Sequence, residues 1–283
     1  KGKIFDKRFK VSFKEKNKVL NFKILNTGIK AKLVFEDQSF TYPIEGFSQI
    51  SFPKKYLKFN FKYYKDRLEI IKSYFKNKDI TIAFDSLIKF DPFFDINSNI
   101  IVKQFNKKKI NNLNLDKIIS NKEIIKVLNS TNTLNYTAKK YNNNIIKDFN
   151  SRFYLTHGRL VFSKNIFISG GSMKCNGESL LIAEYPRLNF ICLFSLKDTN
   201  EIKKVFSIPR KINLEPVDIN VEGSINILKN KIVFKNIRNS EGYVANEDDI
   251  KYFQKVFEQT LLNKSFFEIF KIFKIKEFFL TII

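Results

Sequence analysis

The sequence predicts a mostly β protein: a long antiparallel meander curled into an open apolar groove, with a few peripheral helices. Three observations carry that reading. Apolar and polar residues alternate with a period of two over most of the chain, the mark of strands with one apolar face. The alternating runs are separated by short turns, so consecutive strands become antiparallel neighbours. Phe also recurs at facing positions with few small partners to interdigitate against; 32 of the 283 residues are Phe and none is Trp.

An apolar fraction of 43% supplies ample core and argues against disorder. Lys, Asn, Ile, Phe and Tyr are the residues of AT-rich codons, so genome bias accounts for part of the net charge of +23. A basic surface favours anionic partners, lipid headgroups or nucleic acid, without choosing between them. The chain opens at Lys1 and is in strand pattern by Lys3, so it is read as part of a longer protein. No uncharged apolar run approaches the ~20 residues a membrane crossing needs. A membrane anchor, if the protein has one, lies outside these residues.

From Lys3 to Phe52 the alternation is almost unbroken. Phe9, Val11 and Phe13 form one run, and Leu20, Phe22 and Ile24 the next. Asn26-Thr27-Gly28 is a turn; Ile29, Leu33 and Phe35 continue the sheet, and Ile44 to Phe52 adds a strand. The organising stretch is Tyr56–Asp95. Leu57, Phe59 and Phe61 alternate with Lys58, Asn60 and Lys62. Beyond a turn at Tyr63–Arg67, Leu68 and Ile70 point away from Glu69. Beyond a second turn at Lys76–Asp79, Ile80, Ile82 and Phe84 alternate with Thr81, Ala83 and Asp85. Pro92 in the closing DPFFD cannot donate to a ladder and marks a strand end or bulge.

The pattern changes between Gln104 and Ser130, where Leu115, Ile118 and Ile119 suit a helix face and Glu123–Leu128 a second short piece. This segment is a domain boundary, an insertion or a helical cap. Strands resume at Asn144 and run to Leu196, with Leu188, Phe190, Cys192 and Phe194 alternating after a turn at Tyr185–Arg187. Lys197–Ser207 reads as a short helix, and strands return from Ile212 to Ile237. Asn246 caps a helix with Ile250, Phe253, Phe257 and Leu261 on one face. The final FFEIFKIFKIKEFFLTII is expected to pack on the protein, with the sheet edge or a membrane surface as its other settings. The domain reading is a first groove section at 1–103, a helical insertion or cap at 104–130, a continued groove at 131–240 and C-terminal helices at 241–283.

No catalytic constellation emerges, and no metal site or cofactor is expected. The single histidine, His157, sits at a hairpin turn without a partner histidine. A hairpin closed at Tyr185–Arg187 sets Cys175 opposite about residue 197, so two free thiols are expected unless the register slips. Ser169–Ser172 lacks the Lys-Ser/Thr pair and following helix of a phosphate loop, and Asp91 and Asp95 read as solvated loop acids. Basic, aromatic strands suggest single-strand nucleic-acid binding. In KFNFK and FKVSF, however, Phe and Lys alternate and emerge on opposite faces, whereas a stacking platform needs them together.

The segment Tyr56–Ile101, through FNFKYYKDRLEIIKSYFKNKDITIAF and DPFFD, resembles AsmA-like proteins, a branch of the repeating β-groove, bridge-like lipid-transfer family. VEGSINILKNKIVFKNIRNSEGYVANEDDIKYFQKVFEQTLL is similar to the closing strands and terminal helix of that group. Together these cover a little under a third of the chain, and they match in residue type without catalytic residues. The resemblance implies a curved sheet around phospholipid acyl chains, an N-terminal membrane anchor and a place on the periplasmic side of the bacterial envelope. The expected function is binding and conducting phospholipid, without a chemical step and without a specific nucleic-acid partner. The expected lipid-facing residues are Leu57, Phe59, Phe61, Leu68, Ile70, Ile80, Ile82, Phe84, Phe190 and Phe194. A closed β-sandwich serving as a structural or adhesion module is the second reading, and a nucleic-acid binder the third.

Overall fold

Short turns and unbroken alternation dictate neighbour-to-neighbour pairing, and the computed structural model shows it. The structure describes residues 2–4, 7–36, 42–53, 55–77, 80–105, 122–138, 146–209, 211, 213–262, 274, 277 and 281. Among the described residues, sixteen strands follow one another in chain order, and every pair with a defined register is antiparallel. The chain divides into two compact units, residues 1–106 with 129–132, and residues 107–128 with 133–283.

The first unit holds β1 (Gly2–Ile4), β2 (Lys7–Lys14), β3 (Val19–Ile24), β4 (Lys30–Phe35), β5 (Ile44–Phe52), β6 (Lys55–Tyr63), β7 (Arg67–Lys76), β8 (Ile80–Lys89) and β9 (Asp95–Phe105). Its turns fall where the sequence breaks; the Tyr64 N–H donates to the Arg67 carbonyl at 2.8 Å to close β6–β7. Two bulges interrupt the register: one on β7, which shifts its pairing both with β6 between Lys58 and Asn60 and with β8 between Ile70 and Ser73, and one on β9 opposite Thr81 and Ile82. At the first, Lys72 takes φ 52° and its N–H donates to the Asp85 carboxylate at 2.9 Å. Each bulge bends its strand and adds twist while letting the apolar face continue beyond it.

β10 (Asn129–Thr137) begins in the first unit and ends in the second. The second unit adds a short helix α1 (Lys122–Val127), then β11 (Ile146–Thr156), β12 (Arg159–Ile168), β13 (Gly171–Leu180) and β14 (Arg187–Leu196). α2 (Thr199–Phe206), β15 (Val217–Asn226), β16 (Lys231–Asn239) and α3 (Glu247–Leu261) complete it. The β11–β12 turn is His157-Gly158 with φ 47° and 82°, the left-handed pair that a two-residue hairpin requires. Asn246 caps α3 through a reciprocal capping box with Asp249. Asp198 caps α2, accepting from the Glu201 N–H at 3.0 Å. The helix expected around Leu115–Ile119 and most of the C-terminal FFEIFKIF stretch lie outside the described residues.

The cysteine expectation is corrected. Cys175 and Cys192 are directly opposed on β13 and β14, Cα atoms 4.1 Å apart, and joined as a disulfide. The hairpin does not close at Tyr185–Arg187: β13 ends at Leu180 and β14 begins at Arg187, leaving a loop over 181–186. Its centre lies earlier in the chain than a tight turn at Pro186 would place it. That shift brings the two cysteines into register.

Candidate functional site

In the first unit the registers place all eight expected residues on one face. Phe61 stands opposite Ile70, Leu57 opposite Phe75, and Phe59 opposite Ser48 on β5. Leu68 lies opposite Ile88, Ile82 opposite Phe75 and Val102, and Phe84 opposite Ser73 and Ile100. The same face continues through Ile50, Ala31 and Phe22 to Val11 on β2. Rings link non-adjacent strands across it: Phe13 to Phe35 at 6.4 Å between centroids, and Phe35 to Phe61 at 6.0 Å, both edge-on.

Phe61 is buried on this face; the other seven expected residues are only partly buried. Among the described residues of this unit, the only helical element is the 3-10 turn Glu15–Asn17, and these residues contribute no helix layer to the sheet. At one end of the strands Tyr42, Tyr63, Phe90 and Phe94 form a chain of rings with centroids 5.8–6.4 Å apart, and Phe93 beside them is 67% exposed.

Phe190 and Phe194 lie on the apolar face of the second unit, opposite Gly223 and Ile219 on β15. Here a helix layer is present. Ile225, Ile232, Phe234, Ile237 and Leu262 form a buried cluster with Ile250, Phe253 and Phe257 of α3 packed against it, and Phe190 packs there too. Phe190 is therefore a wall of this core. A second cluster, Ile202, Phe206 and Ile208, packs against Leu196 at the end of β14.

The small partners that the sequence reading missed are glycines. A Cβ at Gly46 would stand 2.8 Å from Phe61 Cζ, one at Gly177 2.5 Å from Phe162 Cε1, and one at Gly223 2.9 Å from Phe190 Cζ. Each of these phenyl rings lies over the glycine directly opposite on the next strand. The signal was present as Gly inside alternating runs, which marks close approach.

The opposite face of the first unit is basic. Lys10, Lys23 and Lys30 are in register across three strands. In KFNFK and FKVSF the phenylalanines and lysines do emerge on opposite faces, but Tyr56 faces Lys76 and Lys58 faces Tyr74, so two tyrosines outside those motifs share the outer face with lysines. The Tyr56 and Tyr74 ring centroids are 6.0 Å apart, and Lys58 Nζ lies 5.6 Å from the Tyr56 ring.

His157 is exposed at its turn. Among the described residues no three His, Cys, Asp or Glu side chains converge on a metal position. A shallow cleft of about 550 Å³ at the β15–β16 turn and α3 is lined by lysine, glutamine and Glu258, with Leu262 its one apolar wall. That lining suits no acyl chain. One charged side chain does lie on the apolar face of the second unit: Lys164, between Phe162 and Ile166 in parity and opposite Ser151 and Cys175. Burial holds its ammonium down to about 8.

In comparisons with known proteins, no family model, no curated protein and no solved structure matches this chain.

Proposed function

We propose that this chain binds phospholipid acyl chains along the apolar face of its sheet and conducts them as part of a lipid-transport protein of the bacterial envelope. The observation that carries the reading is the face of β2–β9. It is continuous in register, and no helix layer covers it among the described residues of its unit. An apolar surface of that extent is costly in water and is kept where something apolar occupies it. Strands of nine to eleven residues from β5 to β9 at ~3.3 Å per residue make it about 30 Å deep, long enough for an extended acyl chain. The resemblance of Tyr56–Ile101 to AsmA-like proteins supports the same reading. The Cys175–Cys192 disulfide supports a compartment outside the reducing cytosol.

A second reading, oligonucleotide binding, has one observation in its favour: Tyr56 and Tyr74 share the outer face with Lys58 and Lys76. One experiment tests both. The purified chain, examined by native mass spectrometry and lipid extraction at low and high salt, should retain phospholipid at both, because burial of hydrocarbon is not screened. Oligonucleotide binding should be weak and fall steeply as salt releases its counterion advantage. A lipid-free protein that also refuses added phospholipid ends the first reading; oligonucleotide binding that survives high salt replaces it with the second.

A further inference from the structure

Across the five paired strands β11–β15 the inward positions of the second unit are apolar or small, with one exception. Lys164 is the sole charged side chain among them. It stands opposite Ser151 on one side and Cys175 of the buried disulfide on the other. Its Nζ lies 6.0 Å from the centre of the Phe149 ring. Lysines are abundant in this chain, and on the alternating strands they fall by default on the polar face; a cation at an inward position gives up hydration that an outward one keeps. Ser151 beside it has no exposed surface, and among the described residues its hydroxyl has no hydrogen-bond partner. A buried hydroxyl left in that state has lost its hydration without a replacement, which is unfavourable. The two groups together are a polar spot set into an apolar wall.

We propose that Lys164, with Ser151 beside it, anchors the anionic oxygens of an amphiphile whose hydrocarbon lies along the apolar face. The shared ligand chemistry is an oxyanion, either a carboxylate or a phosphate, on an aliphatic chain. The ammonium supplies a charge-assisted hydrogen bond in a poorly solvated place, where such a bond is strong. The Ser151 hydroxyl gains an acceptor for its proton. This inference rests on the lipid-binding reading and adds to it the class of headgroup and the point that holds it.

The test measures affinities of the full chain and its Lys164→Met variant for oleate, for oleoyl lysophosphatidate and for methyl oleate, which has the same hydrocarbon without charge. The wild-type chain should bind both anions more tightly than methyl oleate. Lys164→Met should weaken the anions about tenfold, as loss of one charge-assisted bond does, and leave methyl oleate unchanged. Whichever anion loses more identifies the headgroup, and equal losses assign the site to both. Equal affinities of the variant and the wild type for the anions overturn the anchor while leaving acyl binding intact. Failure of wild type to bind even methyl oleate instead removes the lipid reading on which the anchor stands. A measurement on the wild-type chain guards against a variant that does not fold: reductive methylation of Lys164, followed by mass spectrometry, should be slowed by oleate and not by methyl oleate. Equal rates with the two ligands overturn the anchor.

Discussion

The two units use the same strand pattern for different ends. In both, alternation builds one apolar sheet face, and in both a phenyl ring lies over a glycine on the neighbouring strand: Phe61 over Gly46, Phe190 over Gly223. In the second unit α3 packs on that face and turns β14–β16 into a conventional core, with Ile232 at 1% exposure and Phe234 at 7%. In the first unit the corresponding rings of β6–β9 are mostly half-covered, and no helix layer lies over them among the described residues. The lesson is that periodicity specifies a face, and only the next element in the chain decides whether that face becomes a packed core or stays half-covered. After β16 the chain supplies an amphipathic, capped helix. The hairpins of the first unit lead only to the next strand.

This contrast predicts unequal costs for the same truncation. Phe234→Ala should cost ~3–5 kcal/mol, because it empties a packed position and removes the edge-on contact with Phe257 at 5.6 Å. Phe84→Ala on the first unit should cost only about 1–2 kcal/mol, since that ring is already partly in water when the face is empty. Denaturant unfolding of the two variants measures the difference, and equal costs would mean that the first face is as covered as the second. The next effect in size concerns the disulfide, which closes a loop of sequence separation 17 within the second unit. Reduction should destabilise that unit by about 3 kcal/mol through the entropy restored to the unfolded chain. Hydrogen exchange should then quicken in β13–β14 while β6–β9 keep their protection. Alkylation of both thiols without prior reduction would show that no such bond forms.

Much of the fold was legible because alternation and turns are local signals. Leu57, Phe59 and Phe61 announce their face, Asn246 its helix, and His157-Gly158 its hairpin. The bulges were not legible. Each adds one residue and reverses parity, so Ser73 and Phe75 share the face of Leu68 and Ile70 although their numbers are odd. The disulfide was missed because Leu181, Ile182 and Ala183 read as more strand when they belong to the loop. Lys164 departs from the outward placement that alternation gives most lysines on these strands. Its parity with Phe162 and Ile166 was the available signal. Phe190 shares the apolar face of β14 that its alternation marks, but its packing against the terminal-helix core was invisible, since a contact between β14 and the α3 region has no local trace.

The smallest change to folding, and the sharpest test of the first face, comes from placing a carboxylate on each side of it. Phe59 and Phe84 lie on the apolar face, while Lys58 lies on the basic one opposite Gln49 and Tyr74. Lys58→Asp removes a cation near the Tyr56 ring at an exposed position and should move stability by no more than about 0.5 kcal/mol. Phe59→Asp and Phe84→Asp put a charge where acyl chains would lie. In the empty protein that charge still reaches water; in the loaded one it must be desolvated, neutralised or left without its lipid. The expected result is a selective one, with phospholipid loading lost in the two Phe variants and kept in Lys58→Asp while all three retain their β circular dichroism. Equal loading across the three would remove β6–β8 from the lipid path. Equal loss would show that the two faces do not differ in function, whatever they differ in composition.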